Sequence, residues 1–245
     1  MMTSNVVSSK SLNLKFIINA SFAVFITYLC MYAFRKPFTA ATYDGLRLFG
    51  MDYKIVLIIL QLIGYTVSKS LGIKFVAELK QANRLKLLAI LMFIALISLF
   101  LFGITPYPYN AIFMFINGLP LGMIWGVVFS FIEGRRSTEL LGAIMASSFI
   151  VSSGLVKSSG RLVLEYLHTS EMWMPLVTGL IYLPILIFGM YLLNRIHPPE
   201  VDDHEARTAR VPMNSEERKL FISHFSAGIL FSILIYVALT VFRDM

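Results

Sequence analysis

Long apolar blocks separated by short polar breaks dominate this chain. Seven blocks reach spanning length, at about 16–37, 54–73, 86–104, 108–132, 139–163, 172–194 and 219–243. A helix rises about 1.5 Å per residue, so about 20 mostly apolar residues cross a hydrocarbon core. Lipid offers the backbone no hydrogen-bond partner, so each block is predicted to be a helix. The breaks are chemically clear. Pro37 to Asp52 reads as a polar loop holding Asp44-Gly45, Thr105-Pro106-Tyr107-Pro108 as a tight turn, and Glu133-Gly134-Arg135-Arg136 as another, while His168 to Glu171 closes the fifth block. Pro120, Pro175, Pro184, Gly118 and Gly122 fall inside blocks, where membrane helices tolerate them and small residues allow close packing. The first block is longer than a signal-peptide core and no small-residue cleavage site follows it, so it reads as a retained span. The predicted fold class is all-α and polytopic.

Composition agrees. Hydrophobic residues make up 57%, charged residues only 14%, and the mean hydropathy is +0.75, whereas a soluble domain carries roughly a quarter of its residues as charge. The net charge of +7 changes meaning once the cations are placed. With residues 1–15 in the cytoplasm, the inner segments hold Lys10, Lys15, Lys74, Lys80, Arg84, Lys86, Arg135, Arg136, Arg195, Arg207, Arg210, Arg218 and Lys219. The outer segments hold Lys36, Arg47 and Lys54. That asymmetry predicts a cytoplasmic N-terminus in a cell membrane, with a bacterial inner membrane as the expected location, and it accounts for the basic balance without nucleic acid. The single cysteine, Cys30, supplies no disulfide framework. His168, His197, His204 and His224 are scattered, and no paired carboxylates or metal-ligand cluster stand out. No enzyme activity, metal or cofactor is predicted.

Residues 195–218 differ from the rest: Pro198-Pro199, Glu200, Asp202, Asp203, Glu205 and Arg207 interrupt any apolar run. They read as a cytoplasmic linker between a six-helix unit and a seventh helix in 219–245. That helix echoes the first. Tyr28 precedes Phe34-Arg35 at the same spacing as Tyr236 precedes Phe242-Arg243, and each span opens near a lysine, Lys15 or Lys219. A parallel repeat restarting there predicts a truncated second half, with the missing C-terminal half of the same protein as an expected partner.

A charge near the bilayer centre costs at least about 2.5–3.5 kcal/mol, so three cations stand out: Arg35, Lys69 and Lys157. The acidic residues all fall in loops, in the linker or at span ends. Compensation for the buried cations is therefore sought in an anionic substrate, a carboxylate elsewhere or water in a cavity. Competing structural readings are snorkelling for Arg35, a bond to a neighbouring helix carbonyl for Lys69, and an approach of Glu165 to Lys157. Tyr28, Tyr32 and Arg35 follow at i, i+4, i+7, and Tyr65 and Lys69 at i, i+4, so each set shares a helix face. A phenol beside a cation can hydrogen-bond the remaining oxygens of an anion. Trp125 and Trp173 read as packing or interface anchors.

The run Tyr28-x3-Tyr32-x2-Arg35-Lys36-x-Phe38, followed by Tyr65-x2-Ser68-Lys69, resembles the organophosphate–phosphate antiporters of the major facilitator superfamily. The resemblance covers the first two spans and the six-plus-six plan. It departs at the fifth span, where Ala146 to Gly154 holds no histidine, and after the second, where Glu78 stands in place of an aspartate. It implies the N-terminal six-helix half of that fold plus the first helix of the second half. It also implies a substrate site of Arg35, Lys69, Tyr28, Tyr32 and Tyr65, with Arg243 from the seventh span. Lys157 joins this set as a further cation on the residue pattern alone. The function implied is secondary active transport of a small anionic solute, a phosphate or organophosphate, by alternating access. The alternatives are a membrane sensor of a phosphorylated solute and a non-functional fragment.

Overall fold

A computed structural model describes residues 14–77, 79–199 and 215–244. Helices α1 (Leu14–Tyr32), α2 (Tyr53–Ala77), α3 (Arg84–Ile104), α4 (Ile112–Ser130), α5 (Thr138–Leu167), α6 (Met174–Asn194) and α7 (Ser215–Asp244) follow one another along the chain. Six of them, α1 to α6, are long and apolar enough to cross a membrane. The protein is therefore a multi-pass, nearly all-α membrane protein. Large apolar side chains such as Phe93, Ile150 and Ile187 point outward, which water would penalise and lipid does not. In α7 the continuous described apolar stretch is Lys219–Ile235. Residues 1–13, Glu78 and most of the predicted linker, 200–214, lie outside the described residues.

The helices pack in a pattern with internal symmetry. The broadest interface joins α2 to α4, and its counterpart joins α5 to α1; α3 packs on α4, and α6 on α1. Helices α3 and α6 meet each other, as do α1 and α4. Exchanging α1 with α4, α2 with α5 and α3 with α6 maps these contacts onto themselves, although α5–α6 is closer than α2–α3. The two three-helix units thus share the same neighbour pattern. The α2–α4 interface is tight because it lacks side chains where the helices cross. A Cβ on Gly118 would collide with the Gln61 carbonyl, and one on Gly122 would stand 2.5 Å from the Tyr65 carbonyl. Small residues at a crossing let the backbones approach, and this, rather than burial from water, favours association in lipid.

The element ends differ from the sequence reading in physically interpretable ways. The first helix stops at Tyr32 rather than near residue 37. Beyond it the chain tightens through Phe34 N–H to Met31 O (3.1 Å) and Arg35 N–H to Tyr32 O (3.0 Å), and Pro37 opens a 3₁₀ turn over Pro37–Ala40. Lys36 still has αR dihedrals (φ −104°, ψ −19°), but Pro37 has no N–H to offer the Ala33 carbonyl and its ring would crowd that oxygen, so the α-helix cannot continue through it. The predicted loop before α2 contains a small hairpin, β1 (Arg47–Leu48) and β2 (Met51–Asp52). Its turn residues Phe49 and Gly50 both have positive φ, 54° and 76°, the sign pattern of a type I′ turn. Helix α5 runs to Leu167 and closes on left-handed His168 (φ 47°), a common helix stop.

Because the Gly118 contact is with backbone, no rotamer change can relieve it. Gly118→Val is expected to cost about 3 kcal/mol or more, read as a large drop in thermal stability of the purified protein. Gly228→Ala on α7, where a Cβ meets nothing within 4 Å, is expected to leave stability unchanged or slightly raised.

Candidate functional site

The early end of α1 leaves carbonyls without helical partners inside the bundle, and a membrane interior has no water to satisfy them. Gln61 on α2 fills that need. Its Nε2 donates to the Arg35 carbonyl (2.9 Å) and to Asn117 Oδ1 on α4 (2.8 Å), and Asn117 Nδ2 donates to the Ala95 carbonyl on α3 (3.2 Å). Gln61 and Asn117 are buried. A hydrogen-bonded chain thus ties α2, α3 and α4 to the turn that follows α1.

The Arg35 side chain is 3% exposed, so it does not snorkel to the surface. Its guanidinium carbon lies 4.0 Å from the centroid of the Tyr65 ring and 5.7 Å from that of Tyr32. Lys69, one turn further along α2, places Nζ 5.0 Å from the same Tyr65 centroid. Tyr28 packs edge-to-face on Tyr32 at 5.8 Å and on Trp125 of α4 at 5.0 Å. Five of the residues singled out from the sequence therefore gather in one cluster, and one phenol ring carries two cations from different elements. Cation–π contacts of this kind contribute about 0.5–2 kcal/mol each, more where water is excluded. Lys36, assigned from sequence to an outer loop, is also buried, at 1% exposure. A cavity of about 820 Å³ opens beside the cluster between α2, α4 and α7, with Lys69 and Trp125 in its wall.

The chain belongs to a family of unknown function (DUF5690), which it matches over residues 37–245. No curated protein and no solved structure matches it. The family match takes in Gln61, Tyr65, Lys69, Asn117 and Trp125, and starts two residues after Arg35.

One other predicted residue of this DUF5690 protein, Lys157, stands apart. Lys157 on α5 lies in electrostatic range of Lys54, which Arg161 and Glu171 also influence. These groups sit toward the end of the bundle where α1 ends and α2 begins. No ion pair between Lys157 and Glu165 forms among the described residues. Arg243 belongs to α7, but its side chain lies outside the described residues. Near Lys54, Glu171 anchors the loop after α1, accepting from Thr42 N–H (2.9 Å), Thr42 Oγ1 (3.1 Å) and Tyr43 N–H (2.9 Å). Burial, then the Glu171 charge, pushes the Tyr43 phenol well above its ordinary range, so it stays neutral.

From sequence Trp125 reads as a packing or interface anchor. No spacing on its own helix links it to a cation, and only the α1–α4 contact brings it to Tyr28. Gln61 likewise carried no sequence signal beyond being polar within an apolar block, four residues before Tyr65 on the same face.

Replacing Gln61 with leucine strands Asn117 and the Arg35 carbonyl together. The expected loss is about 1–3 kcal/mol, measured by thermal or denaturant unfolding in detergent. Tyr65→Leu, which removes the ring shared by both cations, is expected to lose about 1–2 kcal/mol.

Proposed function

We propose that this DUF5690 protein carries a small anionic solute, a phosphate or organophosphate, across a membrane by alternating access. The observation that carries the reading is the gathering of Arg35 and Lys69 on the Tyr65 ring inside a membrane-spanning bundle. Placing two cations there is costly unless function requires it. Arginine offers an anion a planar fork and lysine a compact point charge, a combination suited to phosphate oxygens. Tyr28 and Tyr32 extend the same aromatic wall.

The packing supports the same reading. Two inverted three-helix units are the arrangement found within each half of major facilitator transporters, and the symmetric neighbour pattern of α1 to α6 accords with it. In this account the cluster faces a partner bundle, and rocking of the two exposes it to each side in turn. Mutual repulsion of Arg35 and Lys69 disfavours closure around an empty site, which enforces exchange of one anion for another. The excess of lysine and arginine on one side orients the N-terminus to the cytoplasm of, for a bacterium, the inner membrane.

Transport is tested by counterflow of radiolabelled phosphate into phosphate-loaded proteoliposomes containing this chain. Arg35→Gln and Lys69→Gln are each expected to reduce uptake at least about tenfold, the loss of one charge-assisted hydrogen bond. Full uptake by the double variant overturns the proposal, and phosphate binding without counterflow redirects it to a sensor. Orientation has its own test, since Cys30 is buried and silent. A membrane-impermeant maleimide applied to intact cells is expected to label Phe49→Cys, at the exposed hairpin tip, and not Arg136→Cys. The reverse pattern contradicts the orientation.

A further inference from the structure

The cavity beside Lys69 has the wrong walls for a hydroxyl-rich solute. Its volume, about 820 Å³, falls in the range of small-molecule sites, and its lining is dominated by Trp125, Met123, Phe221, Phe225, Ile229 and Ile233. The hydroxyls on its α2 side turn away into their own helix. Thr66 Oγ1 donates to the Leu62 carbonyl (2.9 Å) and Ser70 Oγ to the Thr66 carbonyl (3.2 Å). A sugar placed here would surrender its hydration for few replacement hydrogen bonds. An apolar body would meet aromatic and aliphatic surface while its anionic group reached Lys69, the charged side chain of the wall.

Resting on the anion-site reading above, we infer that the solute is amphipathic: one anionic head at Lys69, the member of the cluster that lines the cavity, and an aromatic or aliphatic body seated between α2, α4 and α7. A ring-bearing phosphate from solution and a single-chain phosphate from the bilayer share this chemistry. A polyhydroxylated phosphate does not.

Gly228 makes the inference testable without disturbing the fold. It lines the cavity from α7, and a Cβ there meets nothing within 4 Å, so a larger side chain enters empty space and improves helix propensity. The experiment is competition against radiolabelled inorganic phosphate bound to the purified chain in nanodiscs. In the unmodified protein, 1-naphthyl phosphate or dodecyl phosphate is expected to displace the label at concentrations at least about tenfold lower than glycerol phosphate does. Whichever of the two is stronger identifies a soluble or a bilayer source. Gly228→Leu is expected to abolish that advantage while leaving inorganic phosphate affinity within about twofold. Equal displacement by glycerol phosphate, or an advantage that survives Gly228→Leu, overturns the inference and leaves the anion site standing. Failure of inorganic phosphate itself to bind overturns both.

Discussion

Hydrocarbon cannot hydrogen-bond, so wherever a helix ends inside this bundle another element must satisfy its carbonyls. Pro37 forces α1 to end early, and the chain meets the requirement with a single side chain, Gln61, bonded to the Arg35 carbonyl and to Asn117. That bond is available because α2 and α4 approach closely at Gly118. The rest of the site follows from register. Gln61, Tyr65 and Lys69 stand four residues apart on one face of α2. The residue that fixes the Arg35 backbone is therefore followed, one turn on, by the ring under its guanidinium, and one turn further by the second cation. On α4, Trp125 lies two turns beyond Asn117 and closes the aromatic wall against Tyr28.

The cluster is stable as a structure and poised as a site for related reasons. Arginine is weakly hydrated and stacks on aromatic faces, so it tolerates the interior better than lysine. Within the cluster Arg35 is buried against the Tyr65 ring, and Lys69 faces the cavity. The end of the bundle where α1 ends and α2 begins is organised differently. There Glu171 gathers three donors from the loop after α1, and Lys54, Lys157 and Arg161 crowd nearby. Glu171 there holds the loop after α1 in place, with positive charge gathered beside it.

Much of this was legible in the sequence, for physical reasons that also mark where legibility stops. Lipid imposes a length and an apolar composition on every span, so the helices of the bundle stand out before any packing is known. The intrahelical spacings Tyr28-Tyr32-Arg35 and Tyr65-Lys69 survive folding because a helix fixes its own faces, even though α1 tightens before reaching Arg35. Contacts between helices depend on rotation about each axis, which hydropathy does not encode. Hence Gln61 and Asn117 carry no sequence signal, Trp125 reads only as a packing or interface anchor, and Lys157 groups by residue type with a cluster it does not join. The hairpin at Arg47–Asp52 escaped because two-residue strands show no alternation and Phe49-Gly50 is an uncommon turn pair. Lys36 was placed with the outer loop because a lysine one residue before Pro37 looks like the start of that loop. The backbone instead keeps turning inward there, with Lys36 N–H bonded to the Tyr32 carbonyl at 2.9 Å.

The central claim is that Arg35 and Lys69 act on one anion together. A double-mutant cycle on inorganic phosphate affinity, combining Arg35→Gln with Lys69→Gln and read by calorimetry in nanodiscs, measures that directly. Two groups that grip the same ligand are expected to be coupled by about 1 kcal/mol or more, so that the double variant loses less than the two single losses combined. Strictly additive losses, or no loss in either single variant, would contradict a shared site.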